Sequence, residues 1–175
     1  METELDVVDG YVVLNDPDLK FVAVVNRHKN HDNIALQIVK GFGISNGTLA
    51  STVSHDCHNL TIMYDTAEHA LMAANEIKRV GGGMTAVQNG EILYTLALPV
   101  GGLLSLKPAE ELALESRCMK QANRQLGMTA FENPLLRIVT LALPVIPNVK
   151  MSDLGLVDVN TKTFISMFDE TVNKD

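Results

Sequence analysis

Two dipeptides constrain the fold of this chain more tightly than its composition does. Asp9-Gly10 sits inside LDVVDGYVVL, and Asn89-Gly90 separates the apolar stretch Met84 to Val87 from Glu91 to Leu98. A type I′ turn needs positive φ at both central positions, so Asp-Gly or Asn-Gly between apolar runs predicts a tight β-hairpin. Two other segments carry the helical period instead. From Thr66, which suits an N-cap, Ala70, Leu71, Ala74 and Ile77 form one stripe, Glu68 falls in the first turn and Gly81 follows the last. From Pro108, suited to a first helical position, Leu112, Ser116, Met119, Ala122 and Leu126 line one side and Gly127 closes the segment. Hairpins mixed with helices, without strict strand–helix–strand alternation, predict a single α+β domain: a mixed β-sheet covered by about three helices.

The remaining pattern fills in that outline. Phe21 to Val25 is continuously apolar, as in a strand buried on both faces. NRHKNHDN (26–33) reads as a polar loop, and Ile34 to Phe42 fits either a strand or a short helix. Thr48 to Val53 and Leu60 to Tyr64 read as strands on either side of SHDCHN (54–59). Pro134 to Leu143 is expected to be a buried helix ended by Pro144 and Pro147, with short strands at Leu156 to Val159 and Phe164 to Phe168. Residues 1–20 are set apart as an N-terminal hairpin or appendage to a domain of 21–175. LALPV occurs at 96–100 and again at 141–145, but the flanking sequences diverge.

Composition narrows the function. A formal net charge of −7 with scattered basic residues argues against nucleic acid, as do 5% aromatic content and the lack of Trp. No apolar run approaches the roughly 20 residues that span a bilayer. METELDVVDG lacks the basic and apolar regions of a secretory signal, so the cytoplasm is the expected location. Cys57 and Cys118 make neither a disulfide framework nor a Cys-x-x-Cys zinc site.

The chemistry-bearing residues cluster in two motifs. SHDCHN offers His55, Asp56, Cys57, His58 and Asn59 at the end of a strand, where a turn would let them converge. Three or four such side chains make a metal site, and His28 and His31 could complete one across space. The alternative is a strand-end turn whose Asp and Asn bond to backbone. A ligand or interface role ranks above metal ligation, for which His55, Asp56 and His58 are the candidates. Cys57 between two imidazoles suggests a nucleophile, but neighbours in sequence seldom reach base-to-nucleophile geometry. In NRHKNHDN, Asn26, Arg27 and His28 leave the end of a buried strand, where ligands often bind in open sheets. GGG (81–83) follows a helix rather than opening one, so it reads as helix termination and not a phosphate loop.

VVNRH (24–28), VKGFG (39–43), LASTVSHDCHN (49–59), the GGG, LALPVGGLLS (96–105), KPAEE (107–111), LALPVIP (141–147) and DLGLVDV (153–159) together resemble, in order, the C-terminal domain of bacterial adenine deaminase. The resemblance runs from about Val22 to Phe168. It implies a part in purine salvage, the hydrolysis of adenine to hypoxanthine and ammonia. In that family the chemistry belongs to a preceding amidohydrolase barrel whose histidines and acidic residues hold manganese or iron. A barrel of roughly 250 residues does not fit beside this domain in 175 residues, so the chain alone is expected to be inactive and to hold no cofactor of its own. The implied partner is that barrel, in the same or a separate chain, with adenine a candidate ligand. An apolar face left by a missing barrel also makes a homo-oligomer expected. The family's polar motifs map onto Asn26, Arg27, His28, His55, Asp56, His58 and Asn59, as ligand-binding or interface residues. The family pattern has Ser where this chain has Cys57. A stand-alone purine- or metal-binding module using SHDCHN and NRH is the competing reading.

Overall fold

The computed structural model describes residues 4–28 and 31–168. Both dipeptide turns form hairpins. Strands β1 (Asp6–Val8) and β2 (Tyr11–Val13) pair antiparallel across Asp9-Gly10, and β7 (Gly83–Gln88) and β8 (Glu91–Ala97) pair across Asn89-Gly90. Asp9, Gly10, Asn89 and Gly90 all have positive φ, between 52° and 82°, as the turn type requires.

The centre is a six-stranded antiparallel sheet in the order β4-β3-β6-β5-β7-β8, adding β3 (Leu19–Val25), β4 (Ile34–Lys40), β5 (Thr48–Ser51) and β6 (Leu60–Tyr64). Helix α1 (Ala67–Val80) covers one face and buries Ala73 and Ile77 against Ala23, Ala50 and Ile62. Helix α2 (Ala109–Gln125) and the short α3 (Leu135–Val139) cover the other, where Met119, Leu126 and Ile138 pack on Val22, Val24, Leu49 and Met63. Three layers on one continuous sheet make the single α+β domain that the sequence predicts. A small sheet of β9 (Val149–Ser152), β10 (Gly155–Asp158) and β11 (Thr163–Ile165) completes the α2 side, and Met151 enters the same core.

Local chemistry explains where the helices begin and end. The Thr66 hydroxyl accepts the His69 backbone N–H at 3.2 Å, and Gly81 takes φ 81° at the C-terminal end. Pro108 precedes α2, and Lys107 pairs with Glu111 at 2.9 Å, so the KPAEE acids serve the helix start.

Several expectations change. Ile34–Lys40 is a strand, paired antiparallel with β3 along its whole length from Ile34 opposite Val25 to Lys40 opposite Leu19. In α1 the buried face is rotated toward Ala73, Glu76 and Ile77, and Leu71 lies 64% exposed. The apolar run 134–143 forms only one and a half turns of helix before turns take over. There Arg137 lies over the rings of Phe42 and Phe131, 4.7 and 4.5 Å from their centroids, pinning α3 to the loop after β4. Strand β9 carries no strong sequence signal and forms by pairing with β10. The two LALPV copies differ in structure: one ends β8, the other lies in turns after α3.

Candidate functional site

Register brings the two motifs together. Val25 pairs with Ile34 on one side and with Leu60 on the other. The residues one step beyond that row, Asn26, Asn33 and Asn59, therefore emerge side by side at one end of the sheet. NRHKNHDN and SHDCHN, far apart in sequence, become neighbours for that reason alone.

Arg27 and His28 then grip the other motif, and Asn26 reaches Asp153. The Arg27 Nε donates to the His58 carbonyl at 2.5 Å and a terminal nitrogen donates to the Gly101 carbonyl at 2.7 Å. His28 donates from Nε2 to the Cys57 carbonyl at 2.7 Å, which fixes its tautomer because a carbonyl only accepts. The Asn26 side-chain oxygen accepts the His28 backbone N–H at 2.9 Å, and its amide donates to Asp153 at 3.0 Å. Asp153, in the turn between β9 and β10, also accepts from Asn33 at 3.3 Å and from Asn59 at 3.0 Å.

The SHDCHN turn itself is closed by the His58 N–H donating to the Ser54 carbonyl at 2.7 Å, with His58 at φ 49°. The His55 N–H donates to Val139, tying the turn to the end of α3. Ser54, nearly fully buried, shares a 2.8 Å hydrogen bond with Thr61. Asp56 and Cys57 are exposed, His55 and His58 half-buried, and their imidazoles meet edge to face with centroids 5.3 Å apart.

A third segment joins through glycines. The Thr52 hydroxyl accepts from the Gly83 N–H at 2.8 Å and donates to the Gly102 carbonyl at 2.7 Å. A Cβ on Gly82 would come within 2.4 Å of the Gly102 Cα, and one on Gly102 within 2.9 Å of the Arg27 guanidinium. GGG thus ends α1 and also lets the Gly101-Gly102 turn lie against Arg27.

The seven candidates therefore divide by task. Asn26, Arg27, His28 and Asn59 build the junction, while Asp56 is exposed beside it and His55 and His58 lie half-buried. Asp153, Asn33 and Gly102 escaped the sequence reading. Asn33 lay inside a singled-out loop and Asp153 inside DLGLVDV, but neither carries a local signal of its contacts. Burial, then His55 and Arg27, push the His58 imidazole below its ordinary pKa, with Asp56 opposing. Burial would raise the Asp153 carboxyl, but donation from Asn26, Asn33 and Asn59 outweighs it and holds the group below the usual carboxylate value. Among the described residues no three His, Cys, Asp or Glu side chains group to hold a metal ion. His31 does not complete a four-histidine set. No helix among the described residues is long and apolar enough to cross a membrane.

The family model for the adenine deaminase C-terminal domain matches residues 1–163, the N-terminal hairpin included. The chain belongs to the adenine deaminase C-terminal domain family. It is 41% identical over 155 residues to the adenine deaminase of Gluconobacter oxydans, covering 87% of this chain and 27% of that protein. The Cereibacter sphaeroides enzyme is 47% identical over 144 residues, 82% of this chain and 25% of its own length. The Bacillus subtilis enzyme is 41% identical over 150 residues, 86% and 26% respectively. The chain thus spans about a quarter of the length of these curated relatives.

Proposed function

We propose that this chain works as the C-terminal domain of an adenine deaminase, in the hydrolysis of adenine to hypoxanthine and ammonia during purine salvage in the cytoplasm. The observation that carries this reading is the extent of the match: nearly all of this chain aligns with only about a quarter of enzymes named adenine deaminase. The metal-dependent step belongs to an amidohydrolase barrel that supplies manganese or iron. In this chain His55, Asp56 and His58 form the surface offered to that barrel or to its substrate. The exposed apolar side chains Val100 and Leu104, beside the turn gripped by Arg27, support a partner-facing role, and a second copy of the chain is a further partner of such a surface.

The test is hypoxanthine formation. The purified chain with adenine and manganese should give none, and joining it to the preceding part of a relative that lacks its own C-terminal domain should restore turnover. Turnover by the chain alone, or no gain on joining, refutes the reading.

A competing role as a purine- or ion-binding module draws support from two buried atoms without hydrogen-bond partners, His58 Nδ1 and Asn59 Oδ1. It requires saturable binding of adenine or of a divalent ion by the isolated chain, lost on replacing His55 and His58 together with Ala.

A further inference from the structure

Among the described residues, Asp153 is the acidic side chain on which both motifs converge. It lies 127, 120 and 94 positions from Asn26, Asn33 and Asn59, and its two oxygens accept an amide N–H from all three. Its donors sit one residue beyond the aligned row Ile34, Val25, Leu60, so one carboxylate closes the open ends of three adjacent strands. Both ends of the 26–33 loop are also joined by the Asn26 N–H donating to the Asn33 carbonyl at 2.9 Å.

Two relays lead outward from the carboxylate. Through Asn26 it orients the His28 backbone N–H, and the His28 ring then reaches the Cys57 carbonyl. Through Asn59, which is 3% exposed, it holds the residue next to His58. The small sheet β9–β11, peripheral in the fold, delivers this one group to the site.

We propose that Asp153 is the positioning residue of the site, fixing the NRH loop and the SHDCHN turn against each other so that the His28, His55 and His58 imidazoles are held in one arrangement. The inference deepens the deaminase reading, which supplies the reason for displaying those rings. Its test needs no turnover, so either can fail without the other.

The readout is NMR of the histidine rings and of amide exchange in the 175-residue chain. In Asp153→Asn, an amide N–H faces donors that need an acceptor. The His28 and His58 ring resonances should move toward those of free imidazole, and exchange at residues 55–59 should quicken about tenfold. Asp153→Glu should recover part of the wild-type spectrum. Asp158→Asn is the control, since that carboxylate in the same small sheet accepts from its own neighbours Asn160 and Thr161. It should leave the rings in place. Unmoved rings in a folded Asp153→Asn, or equal changes in Asp158→Asn, overturn the proposal. If Asp153→Asn does not fold, the half-buried Asn26→Ala decides. Release of the His28 ring with His58 retained supports the relay, and an unmoved His28 ring sinks it.

Discussion

At the residue scale, the junction is sensitive to a single methyl group. A Cβ at Gly102 would press within 2.9 Å of the Arg27 guanidinium at a φ of 76°. Gly102→Ala should therefore cost about 1–3 kcal/mol in urea unfolding, by strain and by loosening Arg27 from two carbonyls. Asp65 is a second such point. It accepts from the Gly47 N–H at 2.8 Å, the Thr66 N–H at 2.8 Å, the Thr48 hydroxyl at 3.3 Å and His69 Nδ1 at 2.8 Å. Burial works to raise its carboxyl, but donation from His69 and Gly47 prevails and the group titrates below its ordinary value. The stability it contributes is complete above the unfolded value of about 3.9 and is lost as pH falls through the lower folded value. Asp65→Asn should cost about 1–3 kcal/mol at neutral pH and flatten the loss of melting temperature in acid. His58 works in the same direction for a different reason. Its depressed pKa means the unfolded chain takes up that proton first, so acid destabilises the fold below about pH 6.5, the ordinary imidazole value. An NMR titration should place the His58 midpoint below that value.

At the scale of elements, side chains tie neighbours that the hydrophobic pattern only places nearby. His69 on α1 donates from Nδ1 to Asp65 and accepts the Gly90 N–H at Nε2, 2.9 Å away, so the helix holds the β7–β8 turn. The small sheet is anchored by Met151, 2% exposed and packed in the main core. Met151→Ala should cost about 2–5 kcal/mol by thermal melting, and should loosen the Asp153 junction with it. These elements differ in how legible they were. The Thr66-capped α1, the Pro108 start of α2 and the Asp-Gly and Asn-Gly hairpins follow local rules and could be read directly. The shortness of α3 could not, because an apolar run cannot say whether its backbone closes helical bonds or docks through Arg137. Strand β9 was invisible for a related reason: VKMS gains its strand character only from the partner β10.

At the scale of the molecule, one core extends from the six-stranded sheet through α2 and α3 to Met151 and Leu156. The domain should therefore unfold in one transition, with the core amides of Val22, Leu49 and Met63 exchanging only on global unfolding. The β1–β2 hairpin is the exception, since its side chains are almost all exposed, and its amides should exchange much faster.

Turn chemistry and helical period are properties of neighbouring residues, so the class of fold, the two hairpins and the two long helices are legible along the chain, and the order of its motifs gives the family. SHDCHN and NRH also stand out in it as candidate motifs. That they meet at one end of the sheet, that Asn26, Arg27, His28 and Asn59 make the bonds of the junction while Asp56 is exposed and His55 and His58 lie half-buried, and that Asp153 accepts from both motifs, is visible in the folded chain alone. Those roles depend on strand register and on hydrogen bonds between residues about a hundred positions apart. A local pattern states which donors and acceptors exist, and packing alone selects which of them meet.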